Sequence, residues 1–133
     1  LASTVFTDSQ VKKDWAERRK KDKYCFHMPW LILHLILHFA IPVLLAKFVF
    51  PDRWEKISLI MVLTMAVDLD HLWANPVFDP LRCSIGFHPL HSYYAIAAYL
   101  LILAIPQLRF VALGLLIHVG LDGLECLRLA FSR

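Results

Sequence analysis

Residues 30–50 read WLILHLILHFAIPVLLAKFVF, and the reading of this stretch decides the fold. It is apolar over the roughly 20 residues that a bilayer core requires. It nonetheless carries two histidines, His34 and His38, four positions apart. Residues at that spacing share one face of a helix. A soluble amphipathic helix would add a polar stripe along its outer face, and this segment has none. It is therefore expected to be a membrane helix with a polar pair on its inner side. Pro42 is expected to kink it, because proline has no N–H for the carbonyl one turn back.

The pattern continues downstream. PDRWEK (51–56) is a short polar turn, and a second segment is expected from about Ile57 to Trp73, ending in VDLDHLW. Residues 74–91, ANPVFDPLRCSIGFHPLH, hold three prolines and a glycine and read as a loop. A third segment runs from about Ser92 to Ile105, closed by Pro106, and a fourth from about Phe110 to Leu127. Four segments with short connections predict an all-α, up-down-up-down bundle of four transmembrane helices. The last two are brief, so tilt or bilayer adjustment is expected around them.

Composition agrees with this. The chain is 59% hydrophobic with a mean hydropathy of +0.57, above the apolar share of ordinary soluble domains. Seven of its fourteen Lys/Arg fall within the first 23 residues. A nucleic-acid-binding face would spread basic residues among aromatics, so this arm points to anionic lipid and away from nucleic acid. Residues 1–7 read as unstructured, and DSQVKKDWAERRKKDK (8–23) as a polar or amphipathic helix, either solvated or lying on lipid or a partner. Residues 1–27 lack the long apolar core of a secretory signal. The expected organisation is a basic arm over 1–29, a membrane domain over 30–127 and a short tail over 128–133. Three cysteines with no C-x-x-C pair argue against a disulfide-built secreted domain and a thiolate zinc site.

The His and Asp residues inside or bordering the apolar segments are few and share one depth. His34 and His38 lie early in segment one, and Asp68, Asp70 and His71 late in segment two. His88 and His91 directly precede segment three, and His118 and Asp122 lie late in segment four. In an antiparallel bundle all nine fall at one end. The spacings i,i+4, i,i+3 and i,i+4 give each helix an edge of two donors, as in metal sites built inside bundles. A lone Asp at a membrane helix centre costs about 2.5–3.5 kcal/mol, and neighbouring carboxylates repel. A divalent cation relieves both penalties. Imidazole and carboxylate together suit zinc first, then manganese, iron or nickel.

The strings DLDH (68–71), RCSIGFHPLHS (82–92) and H-x-x-x-D (118–122), with HLILH (34–38) as a weaker element, resemble those of a short, uncharacterised family of bacterial four-helix membrane proteins. That family distantly resembles inner-membrane metal-dependent hydrolases. The resemblance covers about residues 32–127. It implies metal-ligand roles for His34 or His38, Asp68, Asp70, His71, His88, His91, His118 and Asp122. The basic arm departs from the family pattern.

Two functions are open at this point. One is a metal-dependent hydrolase of a lipid or phosphoester, with Asp70 or Asp122 as general base and Arg82 holding a phosphate oxygen. The other is a non-catalytic accessory subunit of a membrane complex, such as one in the mitochondrial inner membrane, docked through the arm and apolar helix faces, with a structural or vestigial metal site. Ten Lys/Arg on the site side against four on the other place both termini and the site on the cytoplasmic or matrix side. Without the arm the count is three against four. Cys83 and Cys126 are expected on the site side, near enough to approach each other, and as free thiols under that placement.

Overall fold

The computed structural model describes residues 8–77, 79 and 82–131. The expectations for residues 1–7 and for Arg133 lie outside them. Among the described residues the chain is all-helical.

Helix α1 spans Asp8–Val49 without a break, through both Pro29 and Pro42. Its 42 residues extend about 63 Å at 1.5 Å per residue. The boundary expected at residue 29 therefore falls inside one helix. No glycine occurs between Asp8 and Val49, and the arm is rich in Lys and Arg, so propensity carries the helix outward from the apolar segment.

A single 3₁₀ turn, Pro51–Arg53, reverses the chain into α2, Trp54–Leu63. The rod then tightens into ten residues of 3₁₀ helix, Thr64–Trp73, an uncommonly long run. With three residues per turn, side chains three apart eclipse, and the buried residues here are Thr64, Val67 and Asp70. The tighter winding thus turns Asp70 inward and carries Asp68 and His71 along the neighbouring face. Ser92 caps α3, Tyr93–Leu103, accepting from the Ala95 N–H at 3.2 Å. Helix α4, Arg109–Phe131, packs against α1, α2, α3 and the 3₁₀ segment, and is the centre of the fold.

The two ends of the bundle differ. Ala46, Ile57 and Met61 form an apolar cluster with Phe50, Trp54, Phe110 and Leu113 around it. Phe50 meets Phe110 edge-on at 5.2 Å. At the other end the interior is polar: His38, Asp70, His88, His91, His118 and Asp122 are all buried.

Of the four expected spans, two meet the length and hydropathy of a membrane crossing among the described residues. Met28–Val49 and Arg109–Phe131 are long and apolar enough to cross a membrane. Helix α3 has 11 residues, about 17 Å, half a bilayer core. The second segment changes winding at Thr64.

The free-thiol expectation is also corrected. Cys83 and Cys126 form a disulfide, with Cα atoms 4.9 Å apart. The loop after the 3₁₀ segment folds back over the last turns of α4 and brings the two together. Because two of the three cysteines pair, denatured protein without reductant should show one reactive thiol per chain, and three after reduction. Three reactive thiols before reduction would contradict the pairing.

Candidate metal centre

Four elements meet at the polar end. Helix α1 supplies His34 and His38, the 3₁₀ segment Asp68, Asp70 and His71, the loop His88 and His91, and α4 His118 and Asp122. The structure brings these nine residues into one connected cluster.

At its centre four donor atoms face one another. His91 Nε2 lies 3.1 Å from His118 Nε2, 3.5 Å from Asp68 Oδ1 and 3.1 Å from Asp122 Oδ2. His118 Nε2 lies 3.1 Å from Asp68 Oδ1 and 3.6 Å from Asp122 Oδ2. A tetrahedral ion with ligand bonds of about 2.0–2.2 Å holds its donors about 3.3–3.6 Å apart. The five separations bracket that edge length, so Asp68, His91, His118 and Asp122 fit a divalent ion.

The imidazole orientations agree. His91 Nδ1 donates to Asp70 Oδ2 at 3.2 Å, and His118 Nδ1 faces the Met65 sulfur at 3.3 Å. His38 Nδ1 donates to the His34 carbonyl at 2.9 Å. In each ring Nδ1 is engaged away from the four central donors, which leaves Nε2 as the inward donor. This is how proteins orient metal-binding histidines.

Asp70 sits behind His91, not among the four central donors. Its side chain is fully buried. Oδ2 accepts from the Leu90 N–H at 2.9 Å and from His91, while Oδ1 accepts from His71 Nδ1 at 3.0 Å. His71 Nε2 then faces the Ser84 hydroxyl at 3.3 Å. His88 stacks on His71, ring centres 3.7 Å apart, and does not reach the centre. Tyr99 pins the loop by donating to the Leu90 carbonyl at 2.9 Å.

Charge in the loop follows the same geometry. Burial lowers the His91 pKa, but hydrogen bonds to Asp122 and Asp68 outweigh it and raise the value to about 10. A proton on His91 thus supplies positive charge that the surrounding carboxylates demand and that a cation would replace. Burial, and then neighbouring His71, push His88 below its ordinary value.

A cavity of ≈ 280 Å³ opens beside the cluster, lined among others by His34, Asp68, His71, Arg82, Ser84 and Glu125. Asp68 is 41% exposed on this side. Arg82 donates to the Pro76 carbonyl at 3.0 Å and lies over the Phe87 ring. Glu125 is the one acidic residue of α4 that sequence reasoning passed over. It accepts from Trp30 Nε1 and from Arg128 Nε. Its signal was its place one turn beyond Asp122 on an apolar helix. The Cys83–Cys126 disulfide also lines the cavity, on the site side where the two cysteines were expected.

A family model described as a family of unknown function, DUF6122, matches residues 28–129. The chain belongs to DUF6122. The match begins at Met28, where the apolar part of α1 starts, and leaves most of the basic arm outside. It takes in every residue of the DUF6122 cluster described above. No curated protein and no solved structure matches the chain. The DUF6122 match carries no activity, so the chemistry must come from the site itself.

Proposed function

We propose that this protein is an integral membrane, divalent-metal-dependent hydrolase acting on a phosphoester or lipid ester at one membrane face. The observation that carries the reading is the set of four donors at ion-binding spacing beside an open cavity. Four protein donors fill a tetrahedral shell, so the hydrolase reading requires the ion to take a fifth ligand on the cavity side, where Asp68 is 41% exposed.

Membrane insertion is supported by an inside-out residue distribution. Leu35, Ile36, Phe39, Leu44, Phe48, Leu101, Leu124 and Leu127 are exposed, while His38, His91, His118 and Asp122 are buried. Helices α1 and α4 leave most of their apolar length uncovered, unlike the core helix of a soluble protein. The second rod, α2 with its 3₁₀ continuation, covers about 35 Å and can reach across as well.

Asp68, His91, His118 and Asp122 would hold the ion, with zinc, manganese, iron and nickel all compatible with the donors. The chemistry such an ion supplies when bound is polarisation of an ester oxygen and a lowered pKa for water. Asp70 has both oxygens engaged, so its role here is to orient His91 and His71. His71 takes the proton-accepting role at Nε2, beside the cavity. Arg82 stands at the mouth, and its remaining guanidinium donors suit a phosphate oxygen.

The two indications of sidedness oppose each other. The charge count favours the cytoplasmic or matrix face, but seven of its ten charges lie in the arm. The disulfide requires an oxidising compartment. A persistent disulfide is a chemical requirement and charge bias only a tendency, so we place the site on the oxidising side. Protease added outside sealed, right-side-out vesicles should then cut the arm; an arm protected until lysis would reverse the assignment.

Protein purified without added metal should carry divalent ion, and chelation should lower its unfolding temperature. His118→Ala should weaken binding beyond the about 100-fold that losing an outer partner of a ligand can cost. Chelation should abolish hydrolysis of a short-chain phospholipid or activated phosphodiester, and restored metal should recover it. Absence of any divalent ion would sink the metal reading. A loaded protein inert on all such esters would remove the hydrolase and leave a structural centre.

A further inference from the structure

Asp122 uses its two oxygens in different directions. Oδ2 faces His91 and His118, as described above. Oδ1 faces the other way, toward α1, at 3.0 Å from His34 Nε2 and 3.4 Å from His38 Nε2. These three donor atoms lie within 4.8 Å of one another.

His38 makes this arrangement informative. Its side chain is buried, 3% exposed. With Nδ1 committed to the His34 carbonyl, Nε2 points into the cluster. That nitrogen is the buried side-chain polar atom without a hydrogen-bond partner among the described residues. The Asp122 oxygen is near enough for attraction but not placed to accept a hydrogen bond. A buried polar atom left unsatisfied is destabilising, and an ion beside it removes that penalty.

We propose that His34, His38 and Asp122 Oδ1 form a second divalent-cation site, and that Asp122 bridges it to the first. The inference rests on the metal reading above and extends it from one ion to two. His34 and His38 both line the cavity, so this second ion has three protein donors and coordination positions open to solvent or substrate. A pair of ions sharing a carboxylate, about 3.5–4 Å apart, is the arrangement used to clamp both oxygens of a phosphoester in displacement. One divalent ion among Asp68, Asp70 and Asp122 leaves a carboxylate charge uncompensated, and a second ion answers it.

The test is titration of metal-stripped, full-length protein in detergent with Mn²⁺, read by equilibrium binding and by electron paramagnetic resonance. Two ions per chain are expected, with an exchange-coupled spectrum at full loading. His38→Ala and His34→Ala/His38→Ala should bind one ion and give the uncoupled six-line signal. One ion in the unaltered protein overturns the second site and leaves the first standing. Two ions retained in the double variant, or two without coupling, overturns the assignment to these residues. No ion bound at all overturns the metal reading and this inference with it. Where the alanine variants fail to fold, the unaltered protein still decides between one ion and two, and His38→Gln serves in their place to test the assignment.

Discussion

Asp70→Ala is expected to be the most damaging single substitution at the polar end. It leaves the Leu90 N–H, His91 Nδ1 and His71 Nδ1 without the fully buried carboxylate that accepts from all three. Breaking a buried charge network by removing one partner costs about 3–5 kcal/mol. The effect should reach the centre, since His91 loses the contact that aims Nε2 inward, and removal of such a partner weakens metal binding about 10–100-fold. Asp79→Ala, in the loop at the cavity wall, should cost far less in both respects. Thermal unfolding and Mn²⁺ affinity of the two variants in the same detergent check this. Equal losses would mean that Asp70 does not hold the loop and His91 in place.

Gly114→Ala should produce the largest defect away from the polar end. A β-carbon at Gly114 would meet Thr64 Oγ1 at 2.7 Å, the Met61 α-carbon at 2.9 Å and the Met61 carbonyl at 3.0 Å. Two of these are backbone atoms that no rotamer change can move, so α2 and α4 must separate. Thr64 is held as well, because its hydroxyl donates to the Met61 carbonyl. Overpacking of this kind costs about 1–3 kcal/mol. It also falls where α2 passes into the 3₁₀ segment, so the placement of Asp68 and Asp70 should suffer with it. Gly120→Ala on the same helix is the control, since nothing lies within 4 Å of its added carbon. Similar unfolding temperatures for the two variants would show that the α2–α4 crossing does not depend on a glycine.

The same glycine marks where sequence reading stopped. Nothing in RFVALGLLIHVGLDG separates Gly114 from Gly120 or Gly123. Only the crossing of α2 over α4 decides which of them a side chain would disrupt. From the sequence, Asp68 and Asp70 were both expected as metal ligands, with Asp70 also a candidate general base. The 3₁₀ winding divides them, placing Asp68 at the cavity edge and Asp70 behind His91. Sequence pattern gives no hold on that winding, because it depends on packing against α4 and the loop.

By itself, the sequence determined that the chain is helical and that the His and Asp residues in and beside its apolar segments share one depth. Rise per residue is constant along a helix and the connections are short, so position along the chain converts directly to height in an antiparallel bundle. His34 with His38, and His118 with Asp122, follow from that arithmetic and from the four-residue repeat. Tertiary structure alone decided the rest. It trimmed the third segment, closed Cys83 onto Cys126, and divided the two oxygens of Asp122 between two sets of imidazoles. Rotation about a helix axis, the fold of a proline-rich loop and the direction of a single oxygen depend on partners distant in the chain, and local periodicity carries no information about them.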